Sequence, residues 1–403
     1  MPSAPLGTLP GTKLTTPPRS RRWLVLPIAL IAAVVIAAVA LTGQSPRARA
    51  RTGVLLTSPT PTAAEPTSTT STSTSTSTTS TSTSTTTSPA NSSLAAAPPA
   101  EAATPSAPSA PQKLVYYPGA PTDLAPLAPG PYFGEGHWVP AGRFVSGGPA
   151  VWVTTLRPPS GGNPVGIAQM DTTRLTIVPY AGTSQPGGTW SNQGQIPPER
   201  QPSLVAAFNG GFQFNSSEGG FYADGRAQPA LRDGAASLVE FLDGSAIVGQ
   251  WGRDVSMGPY VVSVRQNLQL LVDGGAVVPA AANWGQWGAT LSHSSATWRS
   301  AVGSDASSHL YFVGGPGLTP ADLGAVLVAA GASRAMEFDI NPQWVIFASY
   351  TDGAGSPPST FGAKLLPSMY YGPDHFFSPD WRDFVGVFAK EKPKQSPPKP
   401  PAN

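Results

Sequence analysis

The sequence predicts an α+β protein: one β-rich domain of mixed or antiparallel strands with a few helices, preceded by a transmembrane helix and a disordered Ser/Thr stalk. Three features lead to this prediction: an early apolar run, a long low-complexity stretch, and short alternating segments separated by Gly and Pro turns. The predicted segments are a basic cytosolic stub at 1–22, a signal-anchor helix at 23–41, a disordered linker at 42–112, a globular domain at 113–389 and a basic Pro-rich disordered tail at 390–403.

Residues 23–41 read WLVLPIALIAAVVIAAVAL and contain no charged side chain. Their length is close to what a helix needs to cross a bilayer. Residues 38–40 resemble a small-residue cleavage site, so a cleaved signal peptide is the alternative, but the run exceeds a usual signal core. The Ser/Thr tract at 67–88 is too polar to fold and is typical of extracellular stalks. We therefore expect a single-pass cell-membrane protein with an extracytoplasmic domain.

Composition excludes several classes of protein. The chain has no cysteine, which rules out disulfides, thiolate zinc sites and a cysteine nucleophile. Residues 113–389 contain 13 Lys and Arg against 19 Asp and Glu, a net charge of −6. A nucleic-acid-binding domain concentrates basic residues on its folded part, so nucleic acid is not an expected partner.

The globular domain shows strand, hairpin and helix patterns. Residues 151–156 alternate as strands do, and the segments 237–241 and 246–248 flank an Asp-Gly pair typical of a hairpin turn. One helix is expected from Thr319, a good N-cap followed by Pro at the first helical position, to Gly331, which can end the helix in the left-handed conformation.

A strand is expected directly after this helix, at 334–340. Met336 and Phe338 point to one face, so Glu337 and Asp339 point to the other, about 6.6 Å apart at Cα. Paired carboxyl groups at this distance suit acid/base or nucleophilic work on a glycosidic bond, and they also suit a cation. The alternative is that both face solvent or pair with an arginine.

Five segments in order resemble the phosphodiester glycosidase domain family, across most of 151–347. They are FNGGF at 208–212, SLVEFLDG at 237–244, LQLLVDGG at 268–275, WRSAVG at 298–303 and GLTPADLGAVLVAAGASRAMEFD at 317–339. The resemblance implies an extracytoplasmic hydrolase that cleaves a sugar–phosphodiester bond, here in cell-envelope glycans. The family strand ends in Asn-Leu-Asp and a Gly-rich turn, whereas here Glu337 replaces the amide and Ile-Asn-Pro follows Asp339. A non-catalytic glycan-binding or wall-assembly protein is therefore the alternative.

The resemblance also assigns candidate site residues. Asp339 and Glu337 are the expected catalytic pair, and Arg299 is expected to grip a phosphate through two parallel hydrogen bonds. An ion pair between Arg299 and one of these acids is the structural alternative. The resemblance also implies that Asn209, Gly210 and Gly211 bind substrate. Two further substrate-binding candidates come from their positions: His293, shortly before Arg299, and Trp344, just past Asp339, whose ring offers a face to a sugar.

No cofactor is assigned, because no group of His, Asp and Glu has transition-metal spacing. A bound metal would be a hard, oxygen-ligated divalent cation such as calcium. The expected partners are a cell-envelope glycan or sugar-phosphate polymer, and the membrane through one N-terminal span.

Overall fold

Strands dominate the computed structural model, which describes residues 113–288, 290, 293–351 and 358–390. The expected stub, membrane helix and linker, and the tail from residue 391, lie outside the described residues. Within the described ranges no helix is both long and apolar enough to cross a bilayer. The β-rich character predicted for the globular domain is confirmed, with few and mostly short helices.

The described residues form 18 strands and three α-helices. The strands are β1 Val139–Val145, β2 Gly148–Leu156, β3 Val165–Asp171, β4 Leu175–Tyr180, β5 Leu204–Asn209, β6 Phe221–Ala223, β7 Arg226–Ala227, β8 Ala236–Phe241, β9 Ala246–Gln250, β10 Val261–Gln266, β11 Leu270–Asp273, β12 Ala276–Val277, β13 Thr297–Ser304, β14 His309–Leu318, β15 Arg334–Glu337, β16 Phe347–Tyr350, β17 Gly362–Lys364 and β18 Phe384–Ala389. The helices are α1 Phe214–Ser217, α2 Pro320–Ala330 and α3 Pro358–Phe361, with short 3-10 turns at Gln201–Ser203, Pro279–Ala282, Trp284–Gln286 and His375–Phe377.

These strands form three sheets. The first sheet has the order β1-β2-β3-β14-β13-β15-β11-β12, the second β7-β6-β10-β8-β9, and the third β17-β16-β5-β18-β4. Every pairing between the described strands is antiparallel. The sheets therefore follow the antiparallel form of the prediction, which suits strands joined by tight turns.

The expected hairpin is β8–β9, in which Glu240 pairs with Ala246. The turn forms because Gly244 adopts φ +78°, a conformation that a residue with a Cβ rarely takes. Asp243 Oδ1 also accepts a hydrogen bond from the Ser245 amide at 2.9 Å. This part of the prediction is confirmed.

Helix α2 begins and ends where its capping residues indicate. Thr319 Oγ1 accepts a hydrogen bond from the Asp322 amide at 3.1 Å, and the Asp322 carboxylate accepts one from the Thr319 amide at 3.4 Å. This reciprocal arrangement satisfies two donors that a helix start otherwise leaves free. Gly331 ends the helix with φ +111°.

The first sheet is buried on both faces, and this positions the candidate site. Met336 of β15 and Phe338 join a core shared with the other two sheets, while Ala335 packs in a second core with α2. Strand β15 consequently has no solvent-exposed face. A charged residue placed there must find a buried partner, because an unpaired buried charge is very costly.

Candidate active site

Glu337 pairs with Arg299 inside the covered face of the first sheet. Glu337 lies opposite Ala301 of β13, so Arg299, two residues earlier, is on the same face. Arg299 Nη1 donates to Glu337 Oε1 at 2.5 Å, and both side chains are fully buried. Burial raises the pKa of Glu337 to about 7, against the opposing attraction of Arg299. Arg299 also donates to the carbonyl oxygens of Leu318, Trp287 and Ser295.

Asp339 pairs with a different arginine. It lies two residues beyond the end of β15, is 3% exposed, and its Oδ2 accepts a close hydrogen bond from Arg382 Nη2. Its Oδ1 accepts from the Asn341 amide at 2.8 Å. Burial raises the pKa of Asp339, while Arg382 and the Asn341 amide act in the opposite direction.

The Arg382 guanidinium retains unused hydrogen-bond donors. Its Nη2 also donates to the Gly211 carbonyl at 2.7 Å, but its buried Nε has no partner among the described residues. Buried donors without partners are rare and usually mark a site for water, an ion or a ligand. The rings of Trp344 and Trp381 lie 5.2 and 5.4 Å from Arg382 Cζ, a favourable cation–π arrangement.

Asp339 and Arg382 line both a cleft and a small cavity. The cleft has a volume of about 490 Å³. Its walls include apolar and amide or hydroxyl side chains, among them Phe212, Ile340, Gln213, Gln286, Asn341 and Ser216. The small cavity has a volume of about 10 Å³, which is room for about one water molecule. It is lined partly by Asn209, Trp344, His375, Asp380 and Asp383.

Asn209 lies at the end of β5, where the third sheet meets the first. Its Nδ2 donates to Gly210 O at 2.7 Å and to Ser300 Oγ at 2.9 Å, and its Oδ1 accepts from the Ile346 amide at 3.1 Å. These bonds hold the two sheets together at the small cavity. The side chain is 5% exposed, so its amide is largely occupied by the protein.

Gly210 and Gly211 lie against a second buried ion pair. Arg265 Nε donates to Asp383 Oδ2 at 2.7 Å, and both side chains are buried. A Cβ at Gly210 would lie 2.2 Å from Asp383 Oδ2, and one at Gly211 would lie 3.0 Å from Arg265 Cζ. The glycine pair is therefore required by the close approach of these charged side chains.

The structure separates the remaining expected site residues. Trp344 is half-buried and lines the small cavity together with Asp339 and Asn209. Arg299 and Glu337 line neither the cleft nor the small cavity, and exposed His293 does not either. The two expected carboxylates thus lie in different environments. Glu337 is paired with Arg299 away from the cleft, whereas Asp339 is paired with Arg382 and lines the cleft.

Arg382 and its neighbours were not singled out from the sequence. His375 Nε2 lies 2.8 Å from Asp380 Oδ2, and Asp380 Oδ1 accepts from the Arg382 amide at 3.0 Å. The His375 ring stacks on Tyr371 at 4.1 Å. The sequence signal is the alternation of acids, Trp and Arg at 380–383, which resembles no motif on its own. In the described part of the chain, no three His, Asp or Glu side chains are grouped so that they could hold a metal ion.

Comparison with known proteins finds distant structural similarity. No family model and no curated protein sequence matches the chain. The catalytic domain of zebrafish N-acetylglucosamine-1-phosphodiester alpha-N-acetylglucosaminidase, auto-inhibited by its pro-peptide, is 15% identical over 63% of this chain and 88% of that chain, with a TM-score of 0.39. A hypothetical protein from Synechocystis is 13% identical over 62% of this chain and 64% of that chain, with a TM-score of 0.34.

A putative exported protein from Burkholderia pseudomallei is 13% identical over 56% of this chain and 74% of that chain, with a TM-score of 0.27. At these values the likeness is remote. The class defined by the chain itself is a strand-rich antiparallel domain with a buried Asp–Arg pair that lines a cleft.

Proposed function

We propose that this protein is a hydrolase that cleaves the bond between the anomeric carbon of a sugar and a phosphodiester oxygen. The observation that carries the proposal is the buried pair of Asp339 and Arg382, which lines the cleft. The pair combines a carboxyl group of raised pKa with a guanidinium that has donors to spare.

These two groups have complementary roles in such a reaction. A carboxyl group of raised pKa keeps its proton closer to neutral pH, so Asp339 can donate a proton to the leaving oxygen or act as the base. The unused donors of Arg382 match the oxygens of a phosphodiester, which guanidinium groups bind in a fixed planar geometry. Arg382 takes the phosphate-binding role that the sequence suggested for Arg299.

The surroundings of the pair suit a sugar. Amide and hydroxyl side chains such as Gln213, Gln286 and Ser216 offer donors and acceptors to sugar hydroxyl groups. The Trp344 and Trp381 rings meet edge-to-face at 5.4 Å beside Arg382, and Trp381 is 38% exposed. Aromatic rings with an accessible face pack well against the C–H faces of sugars.

A non-catalytic glycan-binding protein is the second candidate, and one observation favours it. Among the described residues that line the cleft, Asp339 is the only carboxylate. Glycosidases usually work with two carboxylates on either side of the bond, and Glu337 is held away from the cleft by Arg299. Such a protein would bind the same glycan and leave it intact.

The site of action is part of the proposal. An apolar run at 23–41 followed by a polar stalk supports a domain held outside the cell membrane. There it would meet cell-envelope glycans or sugar-phosphate polymers.

The test is hydrolysis of p-nitrophenyl diesters of several sugar 1-phosphates by the full-length chain, measured as release of reducing sugar. We expect Asp339→Asn to lower kcat by about 100-fold or more, the usual share of an acid/base group. Asp243→Asn, in the exposed turn after β8, is the matched control and should keep the wild-type rate. Equal rates for wild type and Asp339→Asn would remove the hydrolase proposal, and binding without turnover in both would favour the second candidate.

A further inference from the structure

A second polar cavity lies apart from the cleft. It has a volume of about 260 Å³ and is lined by residues of β4, β6, β8 and β10 together with Asn192, Arg200 and Asp224. It shares no lining residue with the cleft or the small cavity. Its polar lining residues are Thr176, Asn192, Arg200, Asp224, Glu240 and Ser263.

Glu240 brings a buried and half-satisfied carboxyl group to this cavity. The residue is 7% exposed, and its Oε2 accepts a hydrogen bond from Ser263 Oγ at 2.6 Å. Its Oε1 has no hydrogen-bond partner within the described ranges. Burial also raises the pKa of Glu240 to about 7, which the Ser263 hydroxyl opposes. An oxygen in this position is available to a donor from a ligand.

Arg200 brings the positive charge. Its guanidinium carbon lies 4.1 Å from the centre of the Phe388 ring, which holds the group in place by cation–π contact. The guanidinium forms neither a hydrogen bond nor an ion pair with any part of the chain that the structure describes. Its N–H donors are therefore available, and it does not reach Glu240 for a direct ion pair.

A third unsatisfied polar group lies beside these two. The Tyr180 hydroxyl is buried and has no hydrogen-bond partner among the described residues. Tyr180 follows Thr176 and Val178 on one face of β4, and both of those residues line the cavity. Its electrostatic neighbours include Arg200 and Glu240. Tyr180 itself does not line the cavity, whereas Glu240 and Arg200 do. A buried carboxyl oxygen and a guanidinium that both lack hydrogen-bond partners in one cavity are uncommon in a folded protein and point to a bound molecule.

We infer that this cavity binds a monosaccharide that carries one anionic group. The anionic group would lie on the Arg200 guanidinium, which provides planar paired donors for a carboxylate or phosphate. Sugar hydroxyl groups would donate to Glu240 Oε1 and exchange hydrogen bonds with Asn192 and Thr176. Among the described residues that line the cavity, Arg200 is the only cation, and the Asp224 carboxylate keeps its charge while it accepts a hydrogen bond from the Ser191 amide at 2.8 Å, so the lining has room for no more than one anionic group, placed on Arg200.

The experiment is calorimetric titration of the full-length chain with glucuronate, glucose 1-phosphate and glucose. We expect the anionic sugars to bind at least tenfold more tightly than glucose. The two anionic sugars distinguish a carboxylate from a phosphate as the preferred group. Binding of glucose with equal affinity, or no detectable binding of either acidic sugar, would overturn the inference.

Variants locate the site. Arg200→Gln should remove the preference for anionic sugars over glucose. Glu240→Gln should weaken the binding of both glucuronate and glucose 1-phosphate. Arg226→Gln is the matched control, because Arg226 also lies 4.1 Å over an aromatic ring, that of Trp190, but does not line the cavity. Asp339→Asn should leave the affinity unchanged. If Asp339→Asn abolishes binding and Arg200→Gln does not, the sugar occupies the cleft and the inference fails. The melting temperature of each variant shows whether it is folded.

Discussion

Arg299 and Glu337 meet at 2.5 Å in the covered face of the first sheet, and neither side chain is accessible to solvent. Asp339, two residues further on, is bonded to Arg382, which is 43 residues away in sequence. The chain thus places two buried acid–arginine pairs side by side, of which one lines a cleft and the other does not. This division assigns the first pair to stability and the second to the proposed chemistry.

Replacing Arg299 by Met should destabilise the protein strongly. The change leaves Glu337 buried without its cation, and it removes the donor from three backbone carbonyls. Loss of one partner of a buried ion pair costs about 3–5 kcal/mol of unfolding free energy. Denaturant titration measures the change. Arg232→Met, which removes an exposed pair with Glu218, is the control and should leave the midpoint nearly unchanged; a comparably small effect of Arg299→Met would contradict the assignment.

Replacing Gly210 by Ala should also destabilise the protein. The added Cβ would lie 2.2 Å from Asp383 Oδ2 and would push that carboxylate off Arg265. Overpacking together with a disturbed buried pair costs about 2–4 kcal/mol. Gly258→Ala is a matched control, because a Cβ there meets nothing within 4 Å. Thermal unfolding of both variants measures the difference, and equal melting temperatures would show that the glycine is dispensable.

Local patterns predicted the fold well where the cause is local. The turn at Gly244 and the caps of α2 depend on neighbouring residues alone, and both are found as expected. The alternation at 334–340 correctly placed Met336 and Phe338 in the core. The alternation could not show that the face of β15 that carries Glu337 is also covered, because the burial of this face depends on where α2 packs.

The candidate site depended on contacts distant in sequence. Asp339 was identified from the expected strand at 334–340 and from the family resemblance, but its partner Arg382 is supplied by the segment before β18. Likewise, the reason for Gly210 is Asp383, which no pattern near residue 210 could reveal. The sequence therefore identified one residue of each contact, Asp339 and Gly210, but not the residue that it contacts.

The stability of the protein should depend on Glu240 between about pH 4.5 and 7. Burial raises the pKa of Glu240 from 4.5 to about 7 in the folded state. The unfolded state thus loses this proton first as the pH rises, so this contribution to stability is present at low pH and is lost as the pH rises through 7. This difference in the pKa of Glu240 between the unfolded and folded states corresponds to about 3 kcal/mol of unfolding free energy.

Urea unfolding of wild type and Glu240→Gln from pH 4 to pH 8 measures this contribution. The wild type should lose stability relative to the variant as the pH rises, since Gln does not titrate. Other titrating groups are common to both proteins and cancel in the difference. A difference that stays constant over this range would show that Glu240 ionises normally in the folded protein.

The apolar run at 23–41 should hold the full-length chain in the membrane. We expect the protein to remain in the membrane fraction after alkaline carbonate washing and to be released by detergent, because about 20 apolar residues suffice for a spanning helix. A chain that lacks residues 1–41 should be soluble. N-terminal sequencing decides between the two readings of this segment: a mature protein that begins shortly after residue 40 would identify a cleaved signal peptide.

Replacing Trp381 by Ala should weaken sugar binding without unfolding the protein. Trp381 is 38% exposed, so its loss leaves no large cavity, but it removes an aromatic face beside Arg382 and Trp344. We expect KM for the sugar phosphodiester to rise about tenfold, equivalent to about 1.4 kcal/mol, with little change in kcat. Tyr260→Ala is the control, because Tyr260 is 70% exposed and, unlike Trp381, its ring makes no cation–π contact with Arg382. A fall in kcat at constant KM would place Trp381 in the chemical step instead, and no change in either constant would exclude the ring from the binding surface.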